Sequence, residues 1–218
     1  YDGVTVVGDP VSFAGQALLA VQGNVTFDRT VTLSLDVGGP TATDRLTATG
    51  TAALGGATLA VALPEGYDPG WLVPHTILTA GTVRDGFGRI DATGLAGGKR
   101  LAVTYTATSA ILAAAMPGDT NLDGVVDLLD VANLTAAGAF DSGLPATWAE
   151  GDFNGDGLVD LLDAADLLTT NLFDAGPYAT PAASIAPVPE PSAPLVLLFA
   201  PILAGVIGVR RLTAGQRS

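Results

Sequence analysis

The chain has no cysteine, a single histidine, and no lysine or arginine at all between residues 117 and 187. Without cysteine there is no disulfide framework and no thiolate metal site. One histidine rules out histidine-rich metal sites and makes any serine-type triad depend on His75 alone. Charged residues are also scarce, 14% against 48% apolar, so the composition is not that of a charge-swollen disordered chain. Only 9 bases face 22 acids, for a formal net charge of −13. With no clustered Lys and Arg to neutralise phosphate, nucleic-acid binding is excluded. The 218 residues suffice for one medium domain or two small ones with a real core. The chain opens on Tyr1, not on Met or a signal peptide, and so reads as a mature or truncated piece.

The acidity is unevenly spread. Residues 1–116 hold 9 acids and 6 bases, residues 117–187 hold 12 acids and no base, and residues 188–218 hold Glu190 against Arg210, Arg211 and Arg217. The middle stretch therefore carries almost the whole imbalance. Such a block is either a solvated face or a cation site, and spacing decides between them.

Two segments repeat at an offset of 33, GDTNLDGVVDLLD at 118–130 and GDFNGDGLVDLLD at 151–163. With position 1 at Asp119 and Asp152, position 3 is Asn121 and Asn154, and position 5 is Asp123 and Asp156. Gly124 and Gly157 follow at position 6, Asp127 and Asp160 stand at position 9, and Asp130 and Asp163 at position 12. This is the D-x-[DN]-x-[DN]-G pattern of a calcium loop, with Asp where an EF-hand usually has Glu. Ca²⁺ is a hard cation that takes six to eight oxygens, and alternate residues of a tight loop aim theirs at one point. The backbone carbonyls of Val125 and Leu158, at position 7, are expected to add one oxygen each. Val126 and Val159, at position 8, are expected to face the core and couple the loops. Four aspartates crowded in each loop repel one another without a cation, so two Ca²⁺ ions should drive folding here. Mg²⁺ fits less well, because it keeps waters and seldom accepts an all-protein cage.

The duplicated loop and helix with Asp at position 12 resembles a type I dockerin over about 117–174. Helices are expected at Leu128–Ala137 and Leu161–Leu172, with apolar residues at three- and four-residue steps. The resemblance implies a pair of F-hands, calcium-dependent folding and docking to a cohesin-like partner. In that family loop positions 10 and 11 help choose the partner and are often Ser or Thr; here they are Leu128, Leu129, Leu161 and Leu162. Two readings of these leucines stay open: a contact for the partner, with a two-fold binding mode, or packing within the helix pair.

Residues 175–192 carry prolines at 177, 181, 187, 189 and 191 and read as an extended linker. The uncharged stretch 193–209 follows, then Arg210 and Arg211. Seventeen residues reach roughly 26 Å as a helix, close to the thickness of a hydrocarbon core, with the arginines on the cytoplasmic side. A Pro-Glu-Pro motif (Pro189, Glu190, Pro191), an apolar span and an Arg pair in this order resemble the PEP-CTERM sorting signal. That resemblance implies handling by an exosortase, cleavage near the motif, and an exported protein at least transiently anchored through a C-terminal transmembrane helix in 193–218.

Residues 1–116 alternate apolar and small polar residues with Gly punctuation, which argues strands. Asp2, Thr5 and Gly8 match Asp44, Thr47 and Gly50 at an offset of 42, and Gly15, Ala17, Leu19, Ala20 and Val21 match Gly55, Ala57, Leu59, Ala60 and Val61 at an offset of 40. A repeat near 40 suggests an all-β solenoid or elongated sandwich, read as the end of a longer array. The stretch resembles, loosely, the β-rich passenger ends of large exported planctomycete-type proteins. Little in it suggests catalysis: there is no HExxH pattern around His75, and Gly97-Gly98-Lys99-Arg100 reads as a hairpin turn, not a phosphate loop. Glu65, Asp68 and Trp71, in PEGYDPGW, are candidates for a sugar-stacking loop or a simple turn around a part-buried Trp.

The sequence thus leads to an exported, non-catalytic surface protein that uses its calcium module for protein attachment. The alternative is the C-terminal portion of a dockerin-bearing enzyme of polysaccharide breakdown, its catalytic domain upstream. A third possibility keeps the calcium loops purely structural.

Overall fold

The computed structural model describes residues 4–6, 11–12, 18–39 and 42–179. The linker beyond Ala179, the Pro-Glu-Pro motif and the apolar span 193–209 lie outside the described residues. No helix among the described residues is long and apolar enough to cross a membrane.

The chain is β-rich with two short helices. In order come β1 (Val4–Val6), β2 (Val11–Ser12), β3 (Leu18–Val21), β4 (Val25–Phe27), β5 (Thr32–Asp36), β6 (Arg45–Ala48), β7 (Thr51–Ala53), β8 (Thr58–Ala62), β9 (His75–Thr79), β10 (Thr82–Arg84), β11 (Arg89–Thr93), β12 (Arg100–Tyr105) and β13 (Ser109–Ala115). After them come α1 (Leu128–Ala137), a 3₁₀ turn at Trp148–Glu150, and α2 (Leu161–Thr170).

Up to β11, successive strands do not pair with each other. They pass through three sheets in rotation, ordered β1-β4-β7-β10, β11-β8-β5-β2 and β12-β13-β9-β6-β3. Each strand returns beside the strand three earlier, in parallel register, as in Thr32 beside Thr58 and Thr58 beside Arg89. The alternation read from the sequence is what this winding needs. Along β5 and β8 every second residue points inward, and Leu33, Leu35, Leu59 and Val61 are buried while the residues between them are not. Inward residues of all three sheets join one core with Val25, Phe27, Leu46 and Ile77.

The expected period near 40 is not the structural one. Leu19 lies beside Leu46, and Leu46 in turn beside Leu78, so the coils are shorter than that period and unequal. Coil length varies because the turns between strands differ in length, while the pairing is fixed by backbone hydrogen bonds and inward aliphatic residues. Among the described residues, the matches at 40 and 42 join no paired residues.

The winding ends in a hairpin. β13 inserts antiparallel between β9 and β12, which leaves β12 as the end strand of the third sheet. Gly97-Gly98 is a turn between β11 and β12, strands of two different sheets, and so not the hairpin turn expected. His75 begins β9 and is buried; its Nδ1 lies 3.1 Å from Thr43 Oγ1, and Nε2 has no partner among the described residues. Burial holds this imidazole below its ordinary pKa.

Candidate metal centre

Both loops build the same hydrogen-bond scheme from the same residue types. Asp119 Oδ2 accepts from Gly124 N at 3.0 Å, and Asp152 Oδ2 from Gly157 N at 2.9 Å. The amide of Asp123 reaches Asn121 Oδ1 at 3.0 Å, and that of Asp156 reaches Asn154 Oδ1 at 2.8 Å. Asp123 and Asp156 in turn accept from Val125 N and Leu158 N. The alternate side chains thus bend each loop around its own amides, and the positive φ at Gly124 and Gly157 makes the bend possible.

The last two acids of each loop also start a helix. Asp127 and Asp160 are N-caps, accepting from Leu129 N and Leu162 N at 2.7 Å each. Asp130 and Asp163 reach back to the cap amides at 2.9 Å, completing a capping box in both copies. Their other oxygens hold the opening of the loop, Asp130 from Thr120 N and Asp163 from Phe153 N and Asn154 N. Helix α1 has the expected bounds. α2 ends at Thr170, short of Leu172, because Asn171 takes the left-handed conformation that ends it.

Asp119, Asp130, Asp152 and Asp163 are all buried. Among the described residues none of the eight loop aspartates is in an ion pair; the cations Arg89, Lys99 and Arg100 go to Asp91, Asp68 and Asp166. Burial pushes the Asp119 carboxyl up to about 6, against the Tyr178 and Gly124 hydrogen bonds that favour its ionised form. It pushes Asp152 up to about 7 and raises Asp130 as well. Among the described residues no three Asp, Glu, His or Cys side chains are gathered as a metal requires; the carboxylates are turned to the loop amides. The donor set nonetheless fits Ca²⁺: it offers only oxygen, it is strongly anionic, and none of its aspartates is paired with a cation among the described residues.

These carboxyls set a pH dependence. A group held above its unfolded value contributes stability that is fully present below about pH 4 and is lost as pH rises through its folded pKa. Without calcium, the melting temperature should therefore fall as pH rises through about 6 and then about 7, the values at Asp119 and Asp152. A carboxyl held at about 6, as at Asp119, costs the ionised fold roughly 3 kcal/mol. Saturating calcium, which takes the ionised form, should flatten or reverse the trend. Melts in EGTA and in calcium across this range check it; a metal-free melt that rises with pH would contradict it.

The loops are held differently despite their shared sequence. Val126 and Val159 are buried as expected, but their backbone partners are Phe173 and Phe140, not each other. The segment after α1 thus straps the second loop, through Asp141 N to Val159 O and Ala146 N to Gly157 O. The segment after α2 straps the first, through Asp174 N to Val126 O and Tyr178 N to Gly124 O. Residues 175–179, read from the sequence as the start of the linker, therefore pack against the first loop. The sequence holds the signal: Phe140, Asp141, Gly143 and Ala146 recur, at the same offset as the loops, as Phe173, Asp174, Gly176 and Ala179.

The four leucines after the loops do not pack the helix pair. Leu128, Leu129, Leu161 and Leu162 are 72%, 54%, 75% and 61% exposed. The interior beneath the helices is filled by Leu122, Trp148 and Phe153, with Leu134 and Leu167 against them, and shares Leu72, Ala102 and Ala115 with the β region.

Position 4 separates the loops further. Leu122 fills that shared core, whereas its counterpart Gly155 accepts Ile90 N–H through its carbonyl at 2.7 Å. The second loop thus lies along the outer edge of β11, the last strand of its sheet, and Arg100 of β12 reaches Asp166 of α2 at 3.0 Å.

The other candidates are absorbed by packing. Asp68 pairs with Lys99, whose ammonium lies 4.7 Å from the Trp71 ring centre, and the Tyr178 ring meets Trp71 edge-on at 5.2 Å. Glu65 is exposed on the same loop. A cleft of about 410 Å³ separates the turn 94–99 from the second loop, and its charged side chains Asp91, Lys99 and Arg100 are all in ion pairs.

Comparison with family models, with curated proteins and with solved structures gave no match for this chain.

Proposed function

We propose that this chain is an exported, non-catalytic surface protein whose paired loops bind two Ca²⁺ ions and carry a docking face for a cohesin-like or other surface protein. The supporting observation is the pair of loops with one hydrogen-bond scheme, closed around buried aspartates that no cation among the described residues balances. Asp119, Asn121, Asp123, Asp127 and Asp130 would hold one ion and Asp152, Asn154, Asp156, Asp160 and Asp163 the other, with the carbonyls of Val125 and Leu158. The β region is a three-sided solenoid in this reading, an elongated support for the module. The C-terminal segment serves sorting by an exosortase.

The docking face is the exposed leucine set at the starts of α1 and α2. Apolar residues left this open at two matching positions suit a partner that covers one pair or the other. Capture of a surface protein from the native host by the immobilised chain should depend on calcium and cease in EGTA. Replacing Leu128 and Leu129 together with Leu161 and Leu162 by Asp should abolish capture while calcium still binds. Capture that ignores both changes would refute the docking role.

A second reading keeps calcium structural, and the contact of the second loop with β11 favours it. It predicts calcium-dependent stability with no calcium-dependent partner.

A further inference from the structure

One side chain from outside the loops reaches a loop carboxylate. Tyr178 Oη donates to Asp119 Oδ2 at 2.7 Å and accepts from Met116 N at 3.3 Å. Its ring is held by the edge-on contact with Trp71, and its backbone by the bond to Gly124 O at 2.8 Å. The hydroxyl is thus fixed at both ends before any metal arrives.

Among the described residues the second loop has no equivalent. The counterpart of Tyr178 in the other strap is Pro145, which has no hydroxyl to offer. Asp152 takes its extra hydrogen bond from inside the loop, from Gly155 N to Oδ1 at 2.9 Å. The two position-1 carboxylates therefore accept equal numbers of bonds but spread them differently. Asp119 carries two on Oδ2, from Gly124 N and Tyr178 Oη, and one on Oδ1, from Asp123 N at 3.2 Å. Asp152 carries one on Oδ2, from Gly157 N, and two on Oδ1, from Gly155 N and Asp156 N. A carboxylate oxygen has about two lone pairs. Each carboxylate thus keeps one lone pair free, Asp119 on Oδ1 and Asp152 on Oδ2, and the loops differ in the source of the support: a side chain fixed outside the loop for Asp119, the loop's own amides for Asp152.

We propose that Tyr178 is a positioning residue for the first calcium loop, and that it makes the loop at 119–130 the tighter of the two sites. The inference rests on the calcium reading above. The physical cause is outer-shell support. A hydrogen bond to the oxygen turned away from the metal favours the ionised carboxylate and fixes its rotamer, and loss of such a partner weakens metal binding by about 10–100-fold. The Tyr178 ring is not needed for this effect; the hydroxyl is.

The test is a calorimetric calcium titration of the full chain and of Tyr178→Phe, which keeps the ring against Trp71. Two unequal sites are expected in the parent. The substitution should weaken the tighter one by roughly 10-fold and leave the weaker within about twofold. Asp152→Ala and Asp119→Ala, each leaving a single loop, assign the sites: Tyr178→Phe should weaken binding in the first background and not in the second. A purely structural role for Tyr178 would weaken both sites together. Equal sites in the parent, a uniform loss, or no loss at all would overturn the inference while leaving the calcium reading intact. Absence of any calcium binding by the parent would overturn both.

Discussion

Replacing Asp119 and Asp152 together by Ala should remove calcium binding and, with it, the calcium-dependent part of the protein's stability. Each aspartate opens its loop, and each accepts the amide of the sixth residue that closes it. A ligand present at a thousand times its Kd stabilises the folded state by about 4 kcal/mol per site. Two sites filled in the parent should thus raise its melting temperature by roughly 10 °C or more above that in EGTA. The double variant should melt at the same temperature with and without calcium. Far-ultraviolet circular dichroism gives the same contrast, because the acids at positions 9 and 12 cap α1 and α2 and metal binding fixes them. A variant that kept the full calcium-induced shift would place the ligands elsewhere.

The second large effect is expected at Gly157, where the module meets the β region. Its φ is +87°, and a Cβ there would sit deep inside contact distance of the Gly88 carbonyl, in the turn leading into β11. Neither group is the end of a flexible side chain, so Gly157→Ala must lift the loop from the strand or deform both backbones. We expect a loss of about 3 kcal/mol or more, made of left-handed strain and the broken contact. Gly143→Ala is the control. That residue also has a positive φ, +66°, but its Cβ would meet nothing within 4 Å, so only strain of about 1–2 kcal/mol remains. Hydrogen exchange at Ile90 sharpens the comparison, because its amide is held by Gly155 O. Gly157→Ala should expose it and Gly143→Ala should not. Equal losses in the two variants would mean that the loop does not brace the edge.

This bracing is physically sensible. An array of parallel coils ends in a row of unpaired amides and carbonyls, which invites pairing with another chain. At the end described here, the hairpin β12–β13 ends the parallel winding of the third sheet and the second loop covers β11. The loop that would hold a calcium ion is thus also the cover of a sheet edge.

The loop turns and helix starts were legible in the sequence because short-range chemistry dictates them. An Asp at position 9 followed by an Asp three residues later is a capping box, so α1 falls where spacing puts it. The leucines at 128, 129, 161 and 162 could not be placed by periodicity. Apolar residues at helical spacing mark an apolar face but not whether that face is covered, and here Trp148 and Phe153 fill the interior instead. The coil length was not legible, since parallel coils are joined by backbone hydrogen bonds that impose no residue identity, and the offsets vary from turn to turn. Residues 175–179 read as linker because of their Pro, Gly and Ala composition, although the repeat of the loops runs on through them. The divergence of the copies at Leu122 and Gly155 is visible in the sequence, but its meaning appears only once β11 lies beside the second loop.

The most direct test of the central claim is calorimetric titration of the EGTA-stripped full chain with calcium while exchange at Ile90 is followed. Two ions should bind per chain, and exchange at Ile90 should slow once the second loop fills. No heat of binding, with exchange at Ile90 unchanged by calcium, would contradict it.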